Sequence, residues 1–408
     1  CTFPVGYWLT RVRSRGISFD QTVGLTKFLA GRQRHSRHPG EPGVRRYPTG
    51  GISEKQAILL PAILHALSRQ HEFHSSFLIA RRLAHTGGTR DKLSILEGFT
   101  PYGSSELDGW SGAPPKVRYF TADEDFCPLD EALYFLRGNT GTVVERGLMI
   151  SSILAKQLAM PLDCILIDVL YGQNAFLSSE SQASDFVSTA RAVGDAVGLQ
   201  LIFRMRSTAE VTWRAIGNVA ELVEVWRGLT QGWDVKSGPP AGTEPWLSSV
   251  FADLMLDRVG LRSSSSGSRT PAEGLNPETV QESMLTLWLD HGVERGVVTD
   301  IAANGESALL RGLFHAEVTA ASDGRLFCRD PEALADLVNN QLNAYGPTAN
   351  GPFGRTRRGG ILLDSGFGAF VEAGQPLVHV YSEVSIGSDL VDRLRTLLLL
   401  RSKERGNE

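Results

Sequence analysis

Apolar residues recur along the chain at helical spacing in several segments. Residues 16–31 place apolar side chains at this spacing between two glycines, and residues 57–67 form an apolar run after the Gly-rich turn at 49–51. Residues 150–160 predict an amphipathic helix. The same period predicts further helices at 129–136, 279–289, 331–342 and 389–400. Because the run at 57–67 is only about half as long as a membrane span requires, it predicts a core helix.

A different pattern, short and almost continuously apolar, marks residues 164–170, where Asp168 is the one charged side chain. A run of this kind predicts a buried parallel strand. Residues 184–197 predict a crossover helix and residues 200–204 the next strand, so a strand–helix–strand unit is expected. Residues 32–46 are basic and rich in Pro and Gly, which predicts a connecting loop.

A serine-rich stretch at 262–271 predicts a polar linker and the clearest domain boundary. Beyond it, apolar runs separated by glycine turns predict strands at 361–363, 369–371 and 377–381. A chain of 408 residues also exceeds what one hydrophobic core usually serves, so more than one domain is expected.

Charge and cysteine content narrow the range of partners. The 41 basic and 45 acidic side chains give a net charge of -4, and this balance favours neither nucleic acid nor an anionic membrane as a partner. The four cysteines are scattered, which predicts no disulfide framework or zinc site and fits a cytoplasmic protein. The histidines form no ligand-spaced cluster, and no GxGxxG follows a predicted strand, so neither a metal nor a dinucleotide is expected. Since the chain begins with Cys and carries no signal-like segment, we interpret its N-terminus as trimmed.

Three segments in order along the chain carry a family resemblance. They are the sequence LAHTGGTRDKL at 83–93, Arg137 followed by TGTV at 140–143 and SSILAK at 151–156, and Asp168-Val169 followed by Asn-Ala-Phe at 174–176. Together these segments resemble the thymidine/pyrimidine-nucleoside phosphorylase family, and the Gly-rich segment from 359 to 377 resembles the family's last domain. The resemblance covers nearly the whole chain.

The resemblance implies an α/β fold with a discontinuous small helical domain, a larger mixed α/β domain and a C-terminal α+β domain. On this chain the helical domain is expected at 1–30 and 129–160, the α/β domain at 31–128 and 161–261, and the C-terminal domain at 262–408. The first helical segment is shorter than in the family, where it contributes to the dimer interface. A homodimer is therefore implied by the resemblance alone.

Cleavage of a pyrimidine nucleoside by phosphate releases a base that carries negative charge, so its site needs cations and hydrogen-bond donors at the ring carbonyls. The resemblance implies that Arg137, Ser152 and Lys156 contact the base, with Arg137 and Lys156 catalytic through stabilisation of the leaving group. Ser152 and Lys156 lie four residues apart on a predicted helix and so share one face, although such a pair is also common on solvated faces. The apolar positions that the resemblance places around the ring, each of which also suits a plain core, are Leu83, Val143, Met149 and Phe176.

On the phosphate side the chain departs from the family, whose KHSTGG turn is RYPTGG at 46–51 here. The resemblance implies that Arg46, Thr49 and Thr89 bind phosphate. Pro48 stands at a family serine and removes both a hydroxyl and a backbone N–H. Two further family serines align with an alanine at position 57 and an isoleucine at position 79. The loss of three hydroxyl donors weakens a site for a doubly charged anion.

Two aromatic positions bear on proton transfer. Tyr47 replaces a family histidine near the base carbonyl, and a phenol, whose ordinary pKa is about 10, is a poor match for histidine near neutral pH. His85 remains, either as a catalytic residue or as a side chain that stabilises its turn.

Three functions fit these residues. The family resemblance favours phosphorolysis, in which inorganic phosphate is the co-substrate, no further cofactor is needed, and the products are a pyrimidine base and a pentose 1-phosphate. The altered phosphate turn favours pyrimidine-directed glycosyl transfer that does not use free phosphate, or a non-catalytic pyrimidine-binding homologue.

Overall fold

The computed structural model describes residues 2–31, 40–82, 85–106, 114–121, 126–127, 129–173, 175–208, 214–231, 244–261, 270–346 and 355–401. These residues form a mixed α/β fold, as predicted. The helices are α1 Thr2–Arg15, α2 Phe19–Ala30, α3 Gln56–Leu67, α4 Thr89–Leu93, α5 Asp130–Thr140, α6 Arg146–Ala159, α7 Glu180–Val197, α8 Asn218–Thr230, α9 Glu244–Arg258, α10 Pro277–Asp290, α11 Arg295–Asn304, α12 Glu306–Leu310, α13 Pro331–Leu337 and α14 Ser388–Leu397. The strands are β1 Gly43–Pro48, β2 His74–Leu78, β3 Val117–Phe120, β4 Cys164–Tyr171, β5 Leu201–Ser207, β6 Ala215–Ile216, β7 Phe314–Thr319, β8 Gly324–Cys328, β9 Gly360–Leu363, β10 Phe370–Val371, β11 Pro376–Ser382 and β12 Leu398–Arg401.

A five-stranded parallel sheet, in the order β3-β2-β1-β4-β5, forms the centre of the fold. From β1 the chain adds β2 and β3 on one side, and it then returns to add β4 and β5 on the other. The strand order therefore reverses between β1 and β4. Crevices at the carboxyl ends of strands beside such a reversal are the usual ligand sites of open parallel sheets.

The predicted strand–helix–strand unit is confirmed, because β4 and β5 pair in parallel and α7 connects them. The helix α7 starts four residues earlier than the pattern predicts, after Ser179, whose side chain accepts a hydrogen bond from the amide of Gln182 at 3.3 Å. It ends at Gly198, which adopts the left-handed conformation with φ 80°.

The predicted loop at 32–46 is wrong for residues 43–46, which form β1, the middle strand of the sheet; residues 32–39 lie outside the described residues. Consecutive arginines at positions 45 and 46 concealed the strand, since interior strands are usually apolar. Both side chains are buried, and Arg45 donates a hydrogen bond to the carbonyl of Ser76 on the neighbouring strand at 3.1 Å.

The helix α6 is the buried axis of one core, which also contains side chains of α1, α2 and α7. The helix predicted at 150–160 is confirmed as α6, but its residues 147–159 are all buried, so the solvated face that an amphipathic helix implies is wrong. The polar positions of α6 that suggested a solvated face instead make hydrogen bonds in the interior. Ser151, for example, donates to the carbonyl of Thr22 on α2 at 3.1 Å.

The second face of the sheet is covered by α3, α8, α9 and α10, which share one hydrophobic core with Phe77 and Leu166 of the sheet. Alternation along β4 explains how one strand serves both cores, because Leu166 faces this core while Ile165 and Ile167 face the core around α6. The predicted helix at 57–67 is confirmed as α3, and the helix predicted at 279–289 is confirmed as α10.

The C-terminal part contains two antiparallel sheets, ordered β6-β9-β11-β7 and β10-β8-β12. The strands predicted at 361–363, 369–371 and 377–381 are confirmed as β9, β10 and β11. The helix predicted at 389–400 ends at Leu397, because the following residues form β12 and pair with β8. The apolar run at 398–400 therefore extends a sheet instead of a helix.

The predicted serine-rich linker lies almost entirely outside the described residues. The helices that follow it, α10 and α11, place apolar side chains in the same core as α3, and a third core begins with the C-terminal sheets. The three-domain division implied by the family resemblance stays a prediction.

Candidate active site

A cleft opens at the carboxyl ends of β1 and β2, beside the point where the strand order reverses. Residues from five parts of the chain surround it. The lining residues are Arg46, Tyr47, Pro48, Thr49, Gly50, Gly51, Glu54, Ala57, Phe77, Leu78, Ile79, Ala80, Arg81, Thr86, Gly87, Gly88, Thr89, Arg137, Val143, Met149, Ser152, Ile153 and Phe176. The cleft thus gathers five of the seven predicted pyrimidine-side residues, the three predicted phosphate-side residues and Tyr47.

One part of the cleft is formed by the end of α5, the turn after it and α6. Met149, Ser152 and Ile153 lie at i, i+3 and i+4 on α6, so they face the cleft together. The helix is fixed at its start by Glu145, whose carboxylate accepts a hydrogen bond from the amide of Leu148 at 2.7 Å. A hydroxyl between two apolar side chains suits a flat ring that carries carbonyl groups.

Arg137 occupies the last turn of α5 and is buried. Its guanidinium donates hydrogen bonds to the carbonyls of Thr142 and Val143, and the first of these spans 3.4 Å. These bonds hold a planar, permanently charged group at the edge of the cleft.

Lys156 lies behind Ser152 and is absent from the residues that line the cleft. Its Nζ donates to the Ser152 Oγ at 3.1 Å and to the Ser152 carbonyl at 3.0 Å, which shows that the two side chains share one face of α6 as their spacing predicts. The ammonium also forms a buried ion pair with Asp130 at the start of α5. Lys156 therefore acts on the cleft through the Ser152 hydroxyl in this arrangement.

Two glycine-containing turns form the other part of the cleft. Gly50 has a φ of 102°, and a Cβ at this position would lie 3.0 Å from the ring of Phe176. Gly88 lies so close to the main chain before the turn that a Cβ would come within 2.3 Å of the carbonyl carbon of Arg81. Both turns depend on glycine, the first for its conformation and the second for its close approach.

Thr49, Thr86 and Thr89 carry hydroxyl groups in this second part. The amide of Thr49 donates to the carbonyl of Asp168 at 2.9 Å, and its Oγ1 accepts from the amide of Leu170 at 3.0 Å, so Thr49 ties the turn to β4. Thr89 opens α4 directly after Gly88. Pro48, Ala57 and Ile79 give this part an apolar lining.

Arg46, the predicted phosphate-binding cation, is buried and belongs to a network of four charged side chains. Its two terminal nitrogens donate to the two carboxylate oxygens of Glu54, each at 2.9 Å, and one of them also donates to Asp168. Arg206 on β5 donates through Nε to both oxygens of Asp168, at 3.0 and 3.1 Å, and contacts Glu54 at 3.4 Å. Each carboxylate therefore contacts both guanidinium groups.

The electrostatics of the network favour the charged forms of Glu54, Arg46 and Arg206. Burial by itself raises the pKa of Glu54, but the charge and hydrogen bonds of Arg46, with a further contribution from Arg206, outweigh burial and bring this pKa to about 2. Burial lowers the pKa of Arg46, and the carboxylates of Glu54 and Asp168 more than reverse this effect, so that its pKa is raised. The ring of Phe251 lies 4.7 Å from the Arg46 guanidinium carbon and closes the network on that side.

Tyr47 and His85 differ in their relation to the cleft. Tyr47 lines it, and burial raises the pKa of its phenol, so the phenol stays protonated near neutral pH and serves as a hydrogen-bond donor. His85 is not among the lining residues; its ring packs 5.2 Å from the ring of Phe176, and its Nδ1 lies 3.9 Å from a carboxylate oxygen of Glu332. Leu83 lies outside the described residues.

The C-terminal part of the chain holds the second glycine turn. The side chain of Asn339, in the π-helical turn after α13, donates to the carbonyl of His85 at 3.0 Å. Tyr345 donates to the Asp91 carboxylate at 2.8 Å, and the same carboxylate oxygen accepts from the amide of Arg82 at 2.7 Å. These bonds connect the C-terminal sheets to the segment that carries Thr89.

Several residues that shape the cleft were missed by the sequence reasoning. Glu54, Asp130 and Arg206 were not singled out, and Asp168 was noted only as part of a family motif. Asp168 did offer a signal, because a lone carboxylate in a buried strand needs a cationic or hydrogen-bonding partner. The other three carry no such signal, because each pairs with a charged residue of another element: Glu54 with Arg46 on β1, Asp130 with Lys156 on α6 and Arg206 with Asp168 on β4.

The described part of the chain offers neither a site for a metal ion nor a helix that could span a membrane. No group of three or more His, Cys, Asp or Glu side chains there is arranged to hold a metal ion. None of the helices described above is long and apolar enough to cross a membrane.

Comparison with known proteins gives a consistent set of relatives, although no protein-family model matches the chain. A thymidine phosphorylase of Mycoplasma pneumoniae is 30% identical over 236 residues, which span 57% of this chain and 54% of that protein. A thymidine phosphorylase of Mycoplasma genitalium is 29% identical over 98% of this chain and 91% of its own length. A pyrimidine-nucleoside phosphorylase of Bacillus subtilis is 31% identical over 83% of this chain and 74% of its own length. With this identity maintained over most of both sequences, the chain belongs to the thymidine/pyrimidine-nucleoside phosphorylase family.

Proposed function

We propose that the protein transfers the pentosyl group of a pyrimidine nucleoside to inorganic phosphate and releases the free base and a pentose 1-phosphate. The main support is the cleft itself, which combines the Ser152 hydroxyl and the Arg137 cation with two glycine turns that carry Thr49 and Thr89. The relatives bear the names of enzymes for this reaction.

On the pyrimidine side, Val143, Met149 and Phe176 enclose the ring, and Leu83 is assigned to the same role from the family resemblance. The reaction breaks the bond between the anomeric carbon and the ring nitrogen, and the bonding electrons leave with the base. Arg137 stabilises the charge that develops on the ring carbonyls. Ser152 donates a hydrogen bond to the same edge, and the Lys156 ammonium polarises the Ser152 hydroxyl at 3.1 Å.

On the phosphate side, we assign Arg46, Thr49 and Thr89 to the attacking anion. An oxygen of phosphate forms the new bond to the anomeric carbon as the base departs. Tyr47 supplies a neutral donor near the base, while His85, which lies behind Phe176, is assigned to holding the turn that carries Thr89. No metal or organic cofactor enters this scheme.

A specific observation supports a second function, pyrimidine-directed transfer to an acceptor other than free phosphate. Arg46 is paired with Glu54 and Asp168, and Arg81, another cation of the cleft, contacts Asp91 at 3.4 Å. The apolar lining at Pro48, Ala57 and Ile79 also suits a less polar acceptor. A non-catalytic pyrimidine-binding role is the remaining alternative.

We also propose that the protein works as a homodimer. Large apolar side chains of the two N-terminal helices are exposed, with exposed fractions of 62% for Tyr7, 46% for Phe19 and 65% for Phe28. Exposed aromatic side chains of this kind are enriched at protein interfaces. Sedimentation velocity will show a dimer if this proposal holds, and Phe28→Ser should shift it towards the monomer.

The function is tested by incubating the full chain with thymidine and with uridine, with and without inorganic phosphate, and quantifying the released base by chromatography. We expect release that depends on phosphate. Ser152→Ala should raise the KM for the nucleoside, because it removes a cleft hydroxyl. Ser151→Ala is a matched control, since Ser151 lies on the same helix but bonds to Thr22 on α2.

The outcomes separate the three functions. Release of base that requires phosphate, with a selective effect of Ser152→Ala, supports phosphorolysis. If base is released only when another pentosyl acceptor replaces phosphate, the result supports the second function, transfer to an acceptor other than free phosphate. Calorimetric binding of uracil or thymine without any transfer would leave the non-catalytic role.

A further inference from the structure

The four-charge network lies where the proposed reaction needs a free cation. Arg46 and Glu54 line the cleft, whereas Asp168 and Arg206 are absent from its lining. All four side chains are buried, and the exposed fraction of none exceeds the 8% of Glu54. Of this network, the cleft therefore meets the Arg46 cation and, at its two terminal nitrogens, the Glu54 carboxylate.

The fork of Arg46 is engaged by this carboxylate in the same way that it would engage phosphate. Both terminal nitrogens bond to Glu54 at 2.9 Å, a bidentate geometry that guanidinium groups form with carboxylates and phosphates alike. With a pKa of about 2, Glu54 stays ionised at any ordinary pH, so protonation does not release Arg46. An anion from solution must compete with Glu54 for this fork.

A displaced Glu54 would be a buried carboxylate, and a buried charge without a partner is costly. Arg206 removes this difficulty. It already contacts Glu54 at 3.4 Å, and its Nη1 is buried without a hydrogen-bond partner among the described residues. Arg206 Nη1 can therefore donate a hydrogen bond to the Glu54 carboxylate when this carboxylate leaves Arg46.

We propose that Glu54 is an internal competitor of phosphate for Arg46, and that Arg206 receives Glu54 when phosphate binds. This inference rests on the proposed phosphorolysis and deepens it by naming the residues that set the affinity for the phosphate acceptor. In the exchange each anion keeps a cationic partner, because phosphate meets Arg46 while Arg206 holds both Glu54 and Asp168. Glu54 and Arg206 are positioning residues here, since both act on phosphate through Arg46.

The two residues have opposite effects on phosphate affinity. Glu54→Gln removes the competing charge while it keeps the size of the side chain, so the Kd and KM for phosphate should fall about tenfold to a hundredfold, the equivalent of one charge-assisted hydrogen bond. Arg206→Gln removes the receiving cation, so the Kd and KM for phosphate should rise. The KM for the nucleoside should stay unchanged in both variants.

The test is calorimetric titration with inorganic phosphate, together with initial rates at varied phosphate and fixed nucleoside. The control is Glu97→Gln at an exposed position outside the cleft. Because Arg206→Gln leaves two carboxylates with one cation, thermal unfolding is recorded for every variant. If Arg206→Gln is unfolded, the double variant Glu54→Gln with Arg206→Gln is measured instead, because its network keeps one cation and one carboxylate. The double variant should bind phosphate more tightly than the natural protein.

Tighter phosphate binding by Glu54→Gln, with Glu97→Gln unchanged, supports the exchange. If no base is released in that case, the proposed phosphorolysis is wrong and the exchange still stands. Unchanged or weaker phosphate binding by Glu54→Gln overturns the exchange. If base release that depends on phosphate persists in that case, the proposed function stands without it.

Discussion

Removal of either member of the Lys156–Asp130 ion pair is expected to destabilise the protein, and removal of both is expected to restore most of the loss. Lys156→Met removes the cation that pairs with the buried Asp130 carboxylate, and Asp130→Asn removes the carboxylate that pairs with the ammonium, which also bonds to Ser152. The side chains of the pair are 8% and 4% exposed, so solvent does little to compensate either one.

The magnitude follows from this burial. Loss of one partner of a buried pair costs about 3–5 kcal/mol of unfolding free energy, whereas apolar or neutral replacement of both is often close to neutral. The double variant Lys156→Met with Asp130→Asn should therefore be more stable than the sum of the single losses by at least about 2 kcal/mol. Base release should respond differently, because both variants that lack the lysine lose the charge that polarises the Ser152 hydroxyl.

Urea denaturation of the four proteins of this cycle measures the coupling, and base release from thymidine with phosphate measures the activity. We expect stability to recover in the double variant while activity stays as low as in Lys156→Met. Additive losses of stability would refute the buried pair as a coupled unit. Recovery of activity along with stability would show that Lys156 serves the fold alone.

Two further predictions concern the turn before α4 and the response to acid. Gly88→Ala should destabilise the protein by about 1–3 kcal/mol and impair phosphate binding, because its Cβ would meet the main chain at Arg81. The control is Gly138→Ala on α5, where an added Cβ would meet nothing within 4 Å. This variant should be neutral or stabilising in the same unfolding assay. Burial lowers the pKa of His291 to about 4, so this side chain is neutral in the folded state and takes up a proton on unfolding below its ordinary pKa. The unfolding free energy should therefore fall as the pH drops from about 6.5 towards 4, by up to about 3 kcal/mol from this group. His291→Gln should flatten the dependence of stability on pH. His315→Gln, at an exposed surface, is the control and should leave this dependence unchanged.

The network around Arg46 illustrates why the phosphate side was harder to anticipate than the pyrimidine side. The resemblance placed Arg46 opposite phosphate, and the residue does line the cleft. Its partners Glu54 and Asp168 lie 8 and 122 residues away in the sequence, and Arg206 lies 152 residues from Glu54. The parallel pairing of β1 with β4 and of β4 with β5 brings them together.

The sequence by itself determined the elements with a strong local pattern. The period of apolar residues indicates α7 and β11, and nearly continuous apolar runs indicate α3 and β4, because both patterns follow from burial and need no knowledge of distant partners. The glycine turns at 49–51 and 87–89 were also evident, since only glycine permits such conformations and approaches.

Only the tertiary structure decided where charged segments belong. It placed the arginine-rich β1 at the centre of the sheet, enclosed α6 completely, and turned the end of the predicted last helix into β12. It also paired Lys156 with Asp130 and Arg46 with Glu54. Local periodicity reports how much of a segment is apolar, whereas the burial of a charge depends on an opposite charge that only the folded chain brings within hydrogen-bond distance.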